Sequence, residues 1–304
     1  MKRHLFLIIY TFVLVLASIL TVLSTFVIAK EKNDVTVLEP TITETEEIIE
    51  EKGKFFINDK GNKCYKDSNI SIEIITFREL ETEIYLADIK VNNPKLLKTY
   101  LAKNTFGLNI KEKPSAMAKK VNAILAINGD YYGFREKGYV IRNGILYDSN
   151  RLPRNNTRDI LVVNDDGSYS VKKESAQTSV SLFENKAWQV FCFGPGLLVN
   201  GEVVVDENSE VGGHKASNPR TAIGMIEIGH YVMMVSDGRT PESAGLSLFQ
   251  LANILKDYGV KEAYNLDGGG SSVMIFNNEI INKPTSDGES IRERSSSDIV
   301  YIGY

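Results

Sequence analysis

The sequence predicts an α+β (mixed α/β) domain of largely antiparallel or mixed β-sheets with a few packed helices, preceded by one N-terminal transmembrane helix. Three observations support this fold class. Many short apolar runs are bounded by glycine or asparagine, which indicates strands joined by tight turns. One later segment, Leu246–Gly259, carries apolar residues at helical spacing. A continuous apolar run, Leu5–Ala29, precedes both kinds of element.

Leu5–Ala29 is long enough to span a bilayer, for which about 20 apolar residues suffice. Because Lys2 and Arg3 precede this run, the positive-inside rule places the rest of the chain outside the cell. A cleaved signal peptide is the alternative, since Val27-Ile28-Ala29 could serve as a cleavage site. We favour an uncleaved signal anchor over residues 1–30, with a secreted form as the second interpretation.

The net charge of −4 is distributed unevenly, with +3 over residues 1–30, −6 over residues 31–53 and −1 over the remainder. The acidic segment 31–53 has no aromatic residue, which is typical of an extended linker. The main domain is then expected over residues 54–304. Its near neutrality argues against nucleic-acid binding, which needs a basic face.

Cys64 and Cys192 could form one disulfide outside the cell. They belong to no Cys-x-x-Cys motif, and the sequence has three histidines. A zinc enzyme that uses histidine and cysteine ligands is therefore not expected.

The main domain begins with predicted strands at Ser71–Thr76 and Glu83–Val91 and predicted helices at Leu96–Ala102 and Ser115–Val121. Three hairpins follow, with turns at Asn143-Gly144, Asp165-Asp-Gly167 and Asn200-Gly201.

The helix in Leu246–Gly259 begins with a capping box of Ser247 and Gln250, and Gly259 is a natural stop. Together with its flanking apolar runs, this helix could form a strand-helix-strand crossover from Tyr231 to Leu266. Ser297–Tyr304 is predicted as a closing strand.

The most informative stretch is Ala263–Phe276, where two apolar runs are separated by polar and glycine residues: Asp267, Gly268, Gly269, Gly270, Ser271 and Ser272. Three successive glycines allow positive φ and close approach of another molecule. Their N–H groups could form an anion-binding nest beside Asp267, with the serine hydroxyls as further donors. The alternative is a glycine-rich hairpin with an aspartate in the turn. No lysine or helix follows, so neither a P-loop nor a dinucleotide fingerprint is present.

Two other apolar runs also end in an acid and a glycine. Asn128, Gly129 and Asp130 follow the first of these runs, and Asp237 follows the second. Tyr131 and Tyr132 come next to Asp130, and aromatic rings beside carboxylates suit a sugar site. Ordinary turns are the alternative interpretation.

Arg220 and Arg239 lie at similar junctions, where a guanidinium can pair with a phosphate or carboxylate in fork geometry. His214, in the loop before Arg220, could shuttle a proton or donate to an anion. Surface arginines are the alternative. Taken together, the acids and arginines predict one site that cleaves a glycosidic bond to phosphate.

Four segments in this order resemble the phosphodiester glycosidase family: Ala126-Ile-Asn-Gly-Asp-Tyr-Tyr132, Asn218-Pro-Arg-Thr-Ala-Ile-Gly224, Ser236-Asp-Gly-Arg239 with Gly245-Leu-Ser247, and Asn265-Leu-Asp-Gly-Gly-Gly-Ser-Ser272. The resemblance covers roughly Ile84 to Tyr304. It implies a mixed α/β catalytic domain that acts on sugar-1-phosphodiesters. Arg294-Ser-Ser-Ser-Asp-Ile299 departs from the Arg-x-Val/Ala-Asn-Ala-like sequence expected there, so the resemblance assigns this segment no role.

The expected protein is thus a membrane-anchored extracellular hydrolase of sugar-1-phosphodiesters, such as N-acetylglucosamine-1-phosphodiester groups on cell-surface or exopolysaccharide polymers. Glycosidases generally use two carboxylates, and we expect Asp267 and Asp130 as the pair, with Asp237 as the alternate. The expected substrate-binding residues are Asn128, Gly129, His214, Arg220, Arg239, Gly268, Gly269, Gly270, Ser271 and Ser272.

No cofactor is expected, although a divalent cation is an alternative. Two other functions remain open from the sequence. One is a metal-dependent phosphodiesterase, and the other is a non-catalytic module that binds cell-wall glycan.

Overall fold

The computed structural model describes residues 2–32, 35–40, 53–155, 157–209, 211 and 217–304. Within these ranges the helices are α1 Lys2–Phe26, α2 Pro114–Lys120, α3 Ser179–Glu184 and α4 Leu248–Asp257. The strands, in chain order, are β1 Lys30–Glu31, β2 Val37–Leu38, β3 Lys54–Ile57, β4 Lys63–Lys66, β5 Ile70–Glu79, β6 Thr82–Val91, β7 Leu97–Leu101, β8 Gly107–Leu108, β9 Leu125–Asn128, β10 Ile141–Arg142, β11 Ile145–Tyr147, β12 Asp159–Asn164, β13 Tyr169–Lys173, β14 Ala187–Phe191, β15 Gly196–Val199, β16 Glu202–Val203, β17 Arg220–Glu227, β18 His230–Ser236, β19 Glu262–Asn265, β20 Met274–Phe276, β21 Glu279–Ile280 and β22 Asp298–Ile302.

The strands form three main sheets. The nine-stranded sheet has the order β16-β15-β19-β17-β18-β6-β5-β4-β3, the five-stranded sheet β21-β20-β9-β22-β7, and the six-stranded sheet β13-β12-β14-β10-β11-β2. Neighbouring strands pair in antiparallel fashion throughout these sheets. The predicted fold class, α+β with largely antiparallel sheets, is confirmed.

The centre of the nine-stranded sheet is buried on both faces, as β6 shows. Side chains alternate along a strand, so Ile84 and Leu86 pack towards α4, whereas Tyr85 and Ile89 point into the inner core. The inner core also contains side chains of the five-stranded sheet, whose other face packs on α2. The domain is therefore layered, with the two sheets face to face and one helix outside each.

The predicted helix α4 is confirmed, together with its capping box. Ser247 Oγ accepts a hydrogen bond from Gln250 N at 3.1 Å, and Gln250 Oε1 accepts one from Ser247 N at 2.8 Å. Strands β18 and β19 both pair antiparallel with β17, so they run parallel to each other. The predicted strand-helix-strand crossover is therefore present, with β17 between its two strands.

The three predicted hairpins are also confirmed, as β10–β11, β12–β13 and β15–β16. The predicted helix at Leu96–Ala102 is wrong, because Leu97–Leu101 forms strand β7. Leu97, Thr99 and Leu101 are buried and alternate with half-buried residues, and β7 pairs with β22. A distant partner strand thus determines the structure of this segment.

The two cysteines are buried free thiols, so the disulfide considered for the extracellular protein is not formed. Cys64 lies in β4 of the nine-stranded sheet, and Cys192 follows β14 of the six-stranded sheet. Their burial places both thiols in the packed interior.

Helix α1 is exposed to solvent, and its segment Phe6–Phe26 is long and apolar enough to cross a membrane, a test that a signal sequence also passes. The residues after it pack on the domain: β1 pairs with β8 and β2 with β11. Asn109 Nδ2 donates to the carbonyl oxygens of Thr25 at 2.9 Å and Ile28 at 3.1 Å. The first part of the expected linker is thus attached to the domain, and residues 41–52 lie outside the described residues.

Candidate active site

The glycine turn connects two sheets and is not a hairpin. Strand β19 belongs to the nine-stranded sheet and β20 to the five-stranded sheet. Asn128, at the end of β9, fixes the crossing: its Nδ2 donates to Asp267 O at 2.6 Å, and its Oδ1 accepts from Val273 N at 3.1 Å and Thr221 Oγ1 at 2.9 Å. Asn128 is fully buried, so it holds the turn in place from behind.

Three N–H groups of the turn are engaged within the chain. Gly269 N donates to Pro219 O at 2.8 Å, while Ser271 N and Ser272 N donate to the carbonyls of Gly268 and Gly269. These groups therefore do not form the anion-binding nest expected from the sequence. Gly269 instead allows the Arg239 guanidinium to lie against the turn, because a Cβ at this position would be only 2.8 Å from Arg239 Nη2. Its φ of +59° also favours glycine.

Two adjoining pockets, of about 370 and 410 Å³, open beside the turn. Tyr131, Asp267 and Arg294 line both pockets and therefore stand at their junction. The smaller pocket is completed by Lys111, Phe134, Ser271 and Ser295. The larger pocket is completed by Phe193, Val211, Asn218, Arg220, Arg239, Gly268 and Gly269.

Asp267 is the one carboxylic acid among the described residues that line these pockets. Its side chain is 13% exposed. Burial raises the pKa of Asp267 to about 6, although the Ser271 hydroxyl and the Arg294 charge act in the opposite direction. The negative charge of Asp130 raises this pKa further. A carboxyl with such a pKa can exchange a proton near neutral pH.

Arg220 and Arg239 make the larger pocket cationic. Arg220 is buried, and its Nε donates to Leu246 O at 2.9 Å. Burial and the charge of Arg239 lower the pKa of Arg220 to about 10, which still leaves it protonated at pH 7. Arg239 is held by Asn218 Oδ1, at 3.2 Å from Nε, and by Ser286 O, at 2.8 Å from Nη1. Two neighbouring guanidinium groups form a site for an anion.

Aromatic rings line both pockets. Tyr131 stacks on Phe134 with ring centroids 4.6 Å apart, and it meets the edge of Phe193 at 6.4 Å. Tyr132 is fully buried and stacks on Phe106 in the core. The structure therefore brings Tyr131 to the site and leaves Tyr132 in a packing role.

Asp130 lies behind the pockets and lines neither of them. Arg135 binds both of its carboxylate oxygens, at 2.7 and 2.8 Å, and Cys192 N donates to Oδ2 at 2.8 Å. Burial alone would raise its pKa, but the Arg135 and Arg142 charges hold the pKa of Asp130 well below the usual range. Arg142 Nε also donates to Asp298 Oδ2 at 2.8 Å. The expected pair is therefore divided, with Asp267 in the pockets and Asp130 in a buried ion-pair layer.

Asp237 is also buried and lines neither pocket. Its Oδ1 accepts hydrogen bonds from Asn282 Nδ2 at 3.1 Å and Lys283 N at 2.8 Å, and its Oδ2 accepts one from Tyr85 OH at 3.3 Å. These contacts hold the carboxylate against the loop after β21. Asp237 therefore does not serve as the alternate acid in the pockets.

Some of the other predicted binding residues line the pockets, and others do not. Gly268, Gly269, Ser271, Arg220 and Arg239 line the pockets. Gly129 and Ser272 are buried, and a Cβ at Gly270 would collide with Ser286. His214 lies outside the described residues.

Several site residues were not anticipated from the sequence: Lys111, Phe134, Phe193 and Arg294 in the pockets, and Arg135, Arg142 and Asp298 in the buried layer. A signal existed for Arg294, which opens the segment where the resemblance leads to an arginine motif. Over the ranges that the structure describes, no group of three or more His, Cys, Asp and Glu side chains could hold a metal ion.

Comparison with known proteins identifies relatives of this chain. A family model described as phosphodiester glycosidase matches residues 121–303. The uncharacterized SPbeta prophage-derived protein YomE of Bacillus subtilis (strain 168) is 29% identical over 203 residues, 66% of this chain and 31% of that protein. N-acetylglucosamine-1-phosphodiester α-N-acetylglucosaminidase of Mus musculus is 32% identical over 101 residues, 29% of this chain and 19% of that protein. The chain thus spans less than a third of the length of these curated relatives.

Two solved structures share the fold. The catalytic domain of the zebrafish N-acetylglucosamine-1-phosphodiester α-N-acetylglucosaminidase, auto-inhibited by its pro-peptide, superposes with a TM-score of 0.59 at 19% identity, covering 88% of both chains. A hypothetical protein from Synechocystis also gives a TM-score of 0.59, at 14% identity, covering 77% of this chain and 62% of the other. The family match spans more than half of the sequence and includes Arg220, Asp267 and Arg294. The chain therefore belongs to the phosphodiester glycosidase family.

Proposed function

We propose that this protein is a hydrolase that cleaves the glycosidic bond of a sugar-1-phosphodiester. One observation carries the proposal: Asp267, whose pKa is raised to about 6, stands where an arginine-lined pocket meets a pocket lined by stacked aromatic rings. A sugar-1-phosphodiester has an anionic half and a pyranose half joined at the bond to be broken. The two pockets match these halves in charge and in surface character.

The phosphodiester group binds in the larger pocket, against Arg220 and Arg239. The sugar ring binds in the smaller pocket, where Tyr131 and Phe134 cover its apolar face and Ser271 and Lys111 contact its hydroxyls. In this pose the anomeric carbon lies at the junction beside Asp267.

The leaving group is a phosphate monoester, whose second pKa is about 6, so it departs readily without strong general-acid assistance. Ionised Asp267 accepts a proton from the attacking water, the bond from water oxygen to the anomeric carbon forms, and the bond from that carbon to the phosphate oxygen breaks. The bonding electrons leave with the phosphate, whose charge Arg220 and Arg239 stabilise electrostatically. The products are a free sugar and a phosphate monoester.

Asp130 contributes as a positioning residue in this proposal. Its Oδ1 accepts a hydrogen bond from Tyr131 N at 2.5 Å. Its ion pair with Arg135 fixes the start of the segment that carries Tyr131 and Phe134. Its charge also keeps the pKa of Asp267 raised.

The name of the mouse relative suggests N-acetylglucosamine as the sugar, and we extend this to N-acetylglucosamine-1-phosphodiester groups on cell-surface or exopolysaccharide polymers. We further propose that α1 anchors the protein and that the domain from Lys54 onward is extracellular. The exposure of the apolar helix α1 supports its role as an anchor, and the Lys2 and Arg3 charges before the apolar segment support this orientation.

The test uses the full chain in detergent micelles and the methyl diester of N-acetylglucosamine-1-phosphate in H₂¹⁸O, with and without EDTA. We expect the released methyl phosphate to contain no ¹⁸O, because cleavage occurs between carbon and oxygen. The phosphate is the decisive product, since a free sugar exchanges its anomeric oxygen with water.

Label in the phosphate together with inhibition by EDTA would replace the proposal with a metal-dependent phosphodiesterase. Absence of release from folded protein, across a panel of sugar-1-phosphodiesters, would favour a glycan-binding module. Asp267→Asn is the matched inactive control.

A further inference from the structure

A separate cavity, of about 410 Å³, lies at the opposite end of β9 and β20 from the glycine turn. Ile124 and Asn277 border it, and Asn277 N donates to Ile124 O at 3.1 Å where the two strands meet. At the other end of the same strands, the hydrogen bond from Val273 N to Asn128 Oδ1 holds the glycine turn. Four residues of strand separate the two ends by about 13 Å, so this cavity is distinct from the proposed active site.

Aromatic rings form the base of the cavity. Phe55, which is 42% exposed, lies against Tyr65 with ring centroids 4.8 Å apart. The Tyr65 and Tyr304 hydroxyls both donate to Asp67 Oδ2, at 2.7 and 2.9 Å. These shared hydrogen bonds fix the two tyrosine rings that line the cavity.

Three asparagines also line the cavity: Asn122, Asn277 and Asn278. All three are exposed, and within the described residues their carboxamides have no hydrogen-bond partner. Each has positive φ, between 49° and 63°. The turn geometry explains why asparagine is accepted at each position, but it does not explain why three asparagines line one aromatic cavity.

No charged side chain lines this cavity among the described residues, in contrast to the arginine-lined pocket. A neutral ligand is therefore favoured. Carboxamides both donate and accept hydrogen bonds, which suits hydroxyl groups, and the rings can cover the apolar face of a pyranose. The volume lies within the range of about 300–1,000 Å³ typical of small-molecule pockets.

We propose that this cavity is a second carbohydrate site that binds a neutral saccharide unit of a polymeric glycan. A polymer held here raises the effective concentration of its other units around the protein. The site requires no turnover, so it stands or falls separately from the proposed hydrolase activity.

The test is isothermal titration of the full chain in detergent with neutral trisaccharides built from glucose, mannose, galactose or N-acetylglucosamine. The variant combines Asn122→Gly, Asn277→Gly and Asn278→Gly. Glycine accepts positive φ, so the turns are retained while the carboxamides are removed. The matched control is Asn200→Gly, at an exposed asparagine with φ of 52° outside the cavity.

We expect at least one trisaccharide to bind, the triple variant to bind it at least tenfold more weakly, and the Asn200→Gly protein to differ by less than twofold. Turnover of the methyl diester should be unchanged in the triple variant. Failure of all neutral trisaccharides to bind, or equal affinity of the triple variant, would overturn the proposal. Loss of turnover in the isotope experiment with saccharide binding intact would reject the hydrolase and leave the second site.

Discussion

Arg294 and Asp267 are held near each other without a direct hydrogen bond. Arg294 Nη2 lies 3.9 Å from Asp267 Oδ2, and the guanidinium donates instead to Ser271 Oγ, at 2.6 Å from Nη2 and 3.1 Å from Nε. Because this ion pair is incomplete, burial remains the dominant influence on Asp267, and its pKa stays at about 6. The carboxyl can therefore act as a base near neutral pH.

The first prediction concerns the pH dependence of hydrolysis. If ionised Asp267 is the base, kcat/KM for the methyl diester should rise with pH through about 6 and then level off. Asp267→Asn should lower kcat/KM by roughly 10²–10⁴-fold and abolish this inflection. A rate that falls as pH rises through 6 would instead make Asp267 a general acid.

The second prediction is that Asp267→Asn stabilises the protein at alkaline pH. A pKa raised in the folded state means that the stabilisation from protonated Asp267 is complete below about pH 4 and is lost as pH rises through 6. At pH 8 the variant should be more stable by roughly 1–3 kcal/mol, and the difference should vanish near pH 4.

Urea unfolding at both pH values measures this difference. Asp287→Asn provides a control of opposite sign, because hydrogen bonds from Ser290 N and Glu289 N lower the pKa of exposed Asp287 to about 2. That control should be less stable than the wild type at pH 8. Equal stability of Asp267→Asn and wild type at pH 8 would contradict the raised pKa.

The third prediction links Gly269 to Arg239. A Cβ at Gly269 would lie 2.8 Å from Arg239 Nη2, so Gly269→Ala should displace the guanidinium from the pocket. Gly269→Ala and Arg239→Ala should each lower kcat/KM by roughly 10²–10³-fold, the usual effect of losing one preorganised donor. The double variant should be little worse than either single variant, because both remove the same interaction.

Steady-state kinetics of the four proteins give the coupling directly. Arg78→Ala is the control, since Arg78 is exposed and donates to Glu242 O away from the pockets. Additive losses in the double variant would show that Gly269 acts through another group.

The fourth prediction concerns the buried ion-pair layer. Arg142→Met removes the ion pairs of Arg142 with Asp298 and with Asp130. Breaking a buried pair typically lowers the free energy of unfolding by about 3–5 kcal/mol. Arg292→Met is the control, because its pair with Asp287 is exposed and 3.9 Å long and should change stability by less than about 1 kcal/mol. Urea midpoints should separate the two variants clearly, and similar midpoints would show that the layer is dispensable for stability.

Local sequence patterns predicted those elements whose determinants lie close together in the chain. The Ser247–Gln250 capping box and the hairpin turn at Asn143-Gly144 depend on a few neighbouring residues, and both are present. Leu96–Ala102 was wrongly predicted as a helix, because the pairing of β7 with β22 depends on residues about two hundred positions later.

The residues of the candidate site likewise include some that the local sequence indicated and some that depend on distant contacts. Asp267 and Arg220 stood out because each adjoins a recognisable strand. The sequence could not show that Arg135 would bind Asp130 and remove it from the pockets, since this depends on how the chain turns after β9. Nor could it show that the glycine turn passes between two sheets, with Asn128 from a third strand holding it.

The position of β22 has a consequence for the order of folding. It lies between β7 and β9 in the five-stranded sheet. Asp298 is its first residue, and Arg294 precedes it by four positions. Antiparallel pairing across so many residues requires closure of a long loop, which slows folding. The pockets are therefore complete only after one of the most distant strand pairings of the domain has formed, and we expect enzymatic competence to appear with that pairing.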